Sequence, residues 1–168
     1  MHDIKINSVT GSEVVTTQNV KDFVRIDTSA DDTIIDQMIT TAREWCENYI
    51  GKDIVAKNRT FYLQEVDLRF TLPFAPIASI SSVTSEGTAV DYDTYGLDDT
   101  IIQIKSLPAK EVKVTYITSG LTHELVKHAI LHLVSTLYDY RADFIEGAVN
   151  EVPVKTKDIL QSFKTMYF

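Results

Sequence analysis

The apolar positions of this chain change their period twice. Between Asp31 and Ile50 they recur every three or four residues, through Ile34, Ile35, Met38, Ile39, Ala42, Trp45, Cys46, Tyr49 and Ile50. That spacing predicts an amphipathic helix over 31–50. Ser29 or Asp31 can cap it, Asp31 and Asp32 suit the positive end of its dipole, and Gly51 is a natural stop. A shorter helix is expected over 17–25, with Thr16 or Thr17 as cap and Val20, Phe23 and Val24 on its apolar face. The segment RIDTSADD separates the two. Before them, Ile4/Ile6 and Val14/Val15 are short β-type pieces broken at Thr10-Gly11, which predicts an extended arm over 1–16 or a loose hairpin.

From 59 to 119 the period drops to two. Val66, Leu68, Phe70 and Leu72 alternate with Asp67, Arg69 and Thr71, and Val112, Val114 and Tyr116 alternate with Lys113 and Thr115. Ile102 and Ile104 flank Gln103, while Ile77, Ile80 and Val83 mark another short strand. Pro73, Pro76, Gly87, Gly96 and Pro108 fall between these runs, so the region predicts a small antiparallel sheet of about four or five strands. Helical spacing resumes over 122–140 with Leu125, Val126, Ala129, Ile130, Leu133, Val134, Leu137 and Tyr138. The stretch from Arg141 to Pro153 is irregular. A last helix, 156–164, carries Ile159, Leu160 and Phe163, and 165–168 form a tail. A sheet inside a helical frame gives a single α+β domain over 17–164.

The 168 residues and a hydrophobic fraction of 44% suit one soluble domain with its own core. One cysteine, Cys46, excludes an intrachain disulfide. No apolar run approaches the roughly 18 residues needed to span a membrane, and the N-terminus lacks a signal-peptide core, so the protein is expected to be cytosolic where it is made. Sixteen Lys and Arg against 24 Asp and Glu give a net charge of −8, which argues against a grip on nucleic-acid phosphates.

Candidate chemistry is thin. His128 and His132 are four apart on one predicted helix, a spacing able to place two imidazoles on one metal, but the run HAILH lacks the glutamate of a zinc-protease motif. Solvated histidines are the expectation. The stretch from Asp91 to Asp99 begins like a calcium loop, with Asp91, Asp93 and Gly96 in place, and fails at Tyr95 and Ile102. Cys46 lies on an apolar face beside Trp45 and reads as a buried, inert thiol. No Walker loop, nucleophile elbow or dinucleotide fingerprint occurs. Nothing supports an enzyme, a cofactor or a metal.

In combination the segments resemble the head–tail connector family of tailed bacteriophages, also called head-completion or adaptor proteins, in its β-insertion-bearing type. TTQNVKDFVRIDTSADDTIIDQMITTAREWCENYIGK is similar to that family's opening helix pair. TLPFAPIASISSVTSEG resembles the strand of members with a β insertion. VKVTYITSGLTHELVKHAILHLVSTLYDYRAD resembles the strand, turn and long helix that follow, and VPVKTKDILQSFK the closing helix. The likeness spans about 16–164. The arm has no counterpart, and Thr122-His123 stands where a proline is often found.

The resemblance implies a mainly helical connector fold: two N-terminal helices, a long C-terminal helix, a short last helix, and a small antiparallel sheet inserted over 59–119. It implies a structural, non-enzymatic subunit of a homo-oligomeric ring, usually twelvefold, beneath the portal. Such a ring joins capsid to tail, lines the DNA channel, and contacts the portal protein and a stopper or tail-completion protein. DNA would pass without specific binding. The location implied is the head–tail junction of the virion, with assembly in the host cytoplasm. Surface pairing of Arg43 with Glu47 and dipole complementation by Arg141 explain these residues; in such a ring they are also candidate inter-subunit contacts. The stripe Ile159, Leu160, Phe163, Met166, Tyr167 and Phe168 either docks on the portal or a neighbouring subunit, or folds back on its own domain. Two other readings stay open: a small binding or regulatory protein acting as monomer or dimer through its β insertion, and a metal-dependent enzyme using His128 and His132.

Overall fold

The structure, a computed structural model, describes residues 2–96, 98–140 and 154–164. The chain divides into two compact units: residues 1–12 with 55–121, and residues 13–54 with 122–168. Among the described residues there are four helices and eight strands in two antiparallel sheets, about 34% helix and 34% strand. The expectation of a mainly helical fold with a small inserted sheet is therefore corrected. Two features make the difference. The N-terminal segment read as an arm is a strand of the larger sheet, and a second sheet closes over that sheet's apolar face.

In the β unit, β1 (His2–Val9), β2 (Lys57–Val66), β4 (Ile77–Ser85), β5 (Thr88–Ala89) and β8 (Ala109–Thr118) form one sheet in the order β1-β2-β8-β4-β5. The strands β3 (Phe70–Thr71), β6 (Tyr92–Tyr95) and β7 (Ile101–Ile104) form the other, in the order β3-β7-β6. On the central strand β8, Val112, Val114, Tyr116 and Thr118 are buried while Glu111 and Lys113 are exposed, the period of two expected of a sheet with one covered face. Leu72, Ile102 and Ile104 meet Val112, Val114 and Tyr116 in a shared core with Phe61 and Val83. Tyr116 is fully buried, and its hydroxyl donates to the Pro73 carbonyl at 2.9 Å, so the ring brings no unsatisfied polar atom into the core. The Arg59 guanidinium lies over the Phe74 ring, 3.8 Å from its centroid.

β1 runs antiparallel to β2 from His2 opposite Leu63 to Val9 opposite Lys57, with one irregularity between Ile6 and Ser8. Asn7 is the extra residue, and its side-chain amide donates to Asn58 Oδ1 (2.8 Å) and Thr60 Oγ1 (2.9 Å). The bulge changes which residues share a face. Ile4 stands opposite Phe61, Ile6 opposite Arg59 and Val9 opposite Lys57, so all three apolar residues of β1 lie on one face. An unbroken period of two would have turned Val9 to the other side. After β1 the backbone passes so close to Ala56 that a Cβ on Gly11 would stand 2.9 Å from the Ala56 nitrogen.

The helical unit comprises α1 (Thr17–Val24), α2 (Asp32–Ile50), α3 (Glu124–Asp139) and α4 (Val154–Gln161). Thr16 caps α1 in a reciprocal capping box with Asn19. Gly51 ends α2 in the left-handed conformation, φ 69°. Ile35, Ile39, Ala42, Cys46 and Ile50 bury one face of α2, and Val126, Ala129, Ile130, Leu133 and Val134 bury one face of α3. The Tyr138 hydroxyl donates to Asp31 Oδ2 at 2.6 Å, joining the end of α3 to the start of α2. α4 packs on α3 and sinks Leu160 completely.

Within this unit Arg43 and Glu47 are only 3% and 2% exposed. Arg43 Nη1 donates to Glu47 Oε2 at 2.7 Å, and Nε donates to both Glu13 oxygens at 2.9 Å. Glu47 Oε1 accepts the Ile54 backbone N–H at 2.9 Å. Burial opposes the Arg43 charge, and the carboxylates of Glu47, Glu13 and Glu44 more than offset it, holding the guanidinium pKa above its ordinary value.

Replacing Glu47 with alanine leaves a buried cation with Glu13 and the more distant, exposed Glu44 and should lower the unfolding free energy by about 3–5 kcal/mol. The paired change Arg43→Met with Glu47→Leu should recover most of that in chemical denaturation; a single-variant loss near zero would show that the pair is solvated. Leu160→Ala should cost about 2–5 kcal/mol by opening a cavity under α4. A denaturation midpoint unchanged from wild type would mean that α4 contributes nothing to the unit.

Candidate assembly surfaces

The sequence-derived site residues fall into three groups. The pair Arg43 and Glu47, expected as a surface ion pair or an inter-subunit contact, lies inside its own unit, with donors and acceptors used by Glu13, Glu47 and Ile54. Arg141 lies outside the described residues. Of the C-terminal stripe, Leu160 is fully buried, while Ile159 and Phe163 are half-buried. Phe163 meets His123 edge-on, with ring centroids 4.9 Å apart. Met166, Tyr167 and Phe168 lie outside the described residues.

α3 brings His128 and His132 together, their Nε2 atoms within hydrogen-bond distance at 3.1 Å. Phe23 of α1 stands edge-on to both rings, with centroids 5.9 and 5.3 Å away. His128 is exposed and His132 half-buried, so only the first is solvated in the way the sequence suggested. Burial, then His128 and Lys155, lower the His132 pKa. Among the described residues no third His, Cys, Asp or Glu joins them in a group able to hold a metal ion. His128 borders a cleft of about 470 Å³ that Asp22, Phe23, Glu124 and Lys127 also line. The cleft mixes both signs of charge.

Cys46 is fully buried, and burial, reinforced by Glu47, pushes its thiol up to about 12, far from the range in which a thiolate attacks. The acidic stretch that began like a calcium loop contains β6 and a turn. Thr94 Oγ1 donates to Asp99 Oδ1 at 2.8 Å, and Lys105 pairs with Asp93 at 3.3 Å.

Two surfaces escaped the sequence reading. β1 is an edge strand with Ile6 47% and Val9 53% exposed. At the other end of the same sheet, β5 pairs only with Thr84 and Ser85 of β4, so Ile77–Ser82 has no strand beyond it among the described residues. The alternation of Ile4 and Ile6 was visible as a strand signal. Its partner, some 50 residues away, was not.

The head completion protein family profile matches residues 13–160. No curated protein sequence matches the chain. Among solved structures, the chain is similar to one in the neck of an empty GTA particle computed with C6 symmetry: TM-score 0.77, 15% identity, covering 99% of this chain and 97% of that one. It is also similar to a chain in the virion of a native gene transfer agent (GTA) particle, with TM-score 0.74, 16% identity and coverage of 98% and 96%. A third similar chain comes from the neck of a native GTA particle computed with C12 symmetry: TM-score 0.69, 16% identity, coverage 98% and 97%. At these identities the likeness is one of fold, and it extends over both units. The family match begins at the first residue of the helical unit, passes through the β unit from Val55 to Leu121, and ends in α4. Spanning so much of the architecture, it establishes that the chain belongs to the head completion protein family.

Proposed function

We propose that this chain is a structural subunit of the neck of a tailed phage or phage-like particle. It forms a ring under the portal, joins the capsid to the tail and lines the channel through which DNA leaves. The observation that carries the reading is the family match over 13–160. The neck chains of the same fold, from particles computed with C6 and C12 symmetry, support a cyclic arrangement. The partners of this reading are further copies of the chain, the portal protein on the head side, and a stopper or tail-completion protein on the other. The subunit works by binding and carries out no reaction, at the head–tail junction of the virion and, during assembly, in the host cytoplasm.

The net charge of −8 fits a conduit. A channel wall that neutralised many phosphates would hold the DNA it has to release, whereas an acidic one repels it.

Deleting the gene in the producing phage should leave filled heads and free tails that do not join, and the wild-type gene supplied in trans should restore infectious particles. Counting peptides of the chain in purified particles should give several copies per portal ring. Its absence from purified particles would refute the proposal. The isolated protein should show no binding to duplex DNA at about micromolar concentrations in physiological salt. A tight complex with a steep salt dependence would indicate a DNA-handling protein instead.

A further inference from the structure

We propose that neighbouring copies of this chain join edge to edge through the β unit, the β1 edge of one copy adding to the β4 edge of the next. The inference rests on the ring reading above and names the surface that would build the ring. β1 is bonded to β2 on one side only, and β4 beyond Thr84 is bonded to β8 on one side only. Each therefore presents a row of backbone donors and acceptors without a strand opposite it among the described residues. Such rows are templates for another strand, and folded proteins usually guard them with charge, proline, bulges or a covering element. Ile77–Ser82 carries no charge and no proline; its register against β8 shifts between Ile77 and Ser79 and between Ile80 and Ser82, and Ala78, Ser79, Ser81 and Ser82 are exposed and small enough to admit a close backbone approach.

The cyclic neck particles that hold chains of this fold point to a second copy as the occupant, and charge permits it. A chain carrying −8 repels itself over most of its surface. On β1 the charges of Asp3 and Lys5 cancel, and Ile77–Ser82 carries none, so these two edges can approach without that cost. Apolar contact adds to the match. The bulge at Asn7 puts Ile4, Ile6 and Val9 on one face of β1, and the last two are about half exposed. A strand added beyond β1 would extend the sheet beside them.

The arrangement also fixes the kind of assembly. The two edges lie at opposite ends of one sheet, so a β1-to-β4 contact is heterologous and every copy offers a free edge to the next until a ring closes. Pairing of β1 with β1 would be isologous and would stop at two copies.

The test is cross-linking in assembled particles with full-length chain carrying Ile6→Cys, Ser81→Cys or both, using a flexible bismaleimide that tolerates a shift in strand register. The native Cys46 is buried and stays silent. The double variant is expected to give a ladder of two, three and more copies, and each single variant none. The pair Val9→Cys with Ser79→Cys, also at exposed positions, provides a second double variant should the first lose stability. Two-copy products from Ile6→Cys alone would replace the inference with β1–β1 pairing, and products joined to a different polypeptide would assign the edge to another protein. Particles with the wild-type copy number but no ladder from either double variant would overturn the edge contact and leave the ring standing. A single wild-type copy per particle would remove the ring and this contact with it.

Discussion

A guanidinium with 3% of its surface exposed has to be neutralised by the groups that touch it, and the groups that do so for Arg43 are not arbitrary. Glu13 is the residue at which the chain first enters the helical unit, and Ile54, whose N–H is held by Glu47, is the residue at which it first leaves. One ion pair on α2 thus secures both ends of the first segment of that unit. The chain departs at Ile54 and returns at Thr122, so the unit is assembled from two pieces of sequence. Burying α2 against α3 closes a loop of some 70 residues, with an entropic cost that grows only slowly with length. The apolar faces of the two helices supply the driving force, and the buried charges fix their partners.

The helical unit was the more legible part in sequence because its information is local. Ile35, Ile39, Ala42, Cys46 and Ile50 mark the buried face of α2 at the spacing a helix demands, and Gly51 ends it where the left-handed conformation favours glycine. Val126, Ala129, Ile130, Leu133 and Val134 do the same for α3. The β unit was legible only in part. Alternation identified β8, whereas β3 is two residues long and shows no period of its own. β1 shows its apolar pair Ile4 and Ile6, yet nothing in its sequence says that it pairs with β2, and a period of two gives no sign that Val9 shares their face, which only the bulge at Asn7 brings about.

The site residues were harder still. Arg43 and Glu47 have the spacing of a surface ion pair, and spacing is blind both to their burial and to the Glu13 and Ile54 groups that bond them. His128 and His132 have the spacing of metal ligands, and their mutual hydrogen bond and the Phe23 ring account for their geometry without one. The edges of the larger sheet could not be read at all, because an edge is defined by strands that are not there. A function exercised through shape and contact leaves fewer marks on a sequence than one exercised through a reactive side chain. Here the family match carried what motifs could not.

The two-piece construction of the helical unit has a consequence for synthesis on the ribosome. Every residue of the β unit has been made by Leu121, whereas the helical unit still lacks α3 and α4. The β unit can close first, as a completed body within the nascent chain. Until α3 emerges, the face of α2 that carries Ile35, Ile39, Cys46 and Ile50 lacks the helix that contacts α2 most extensively. The groups that neutralise Arg43, by contrast, have all been made before the β unit: Glu13, Glu44 and Glu47 lie in the first segment. The ion cluster can therefore form while the apolar stripe beside it still waits for its partner.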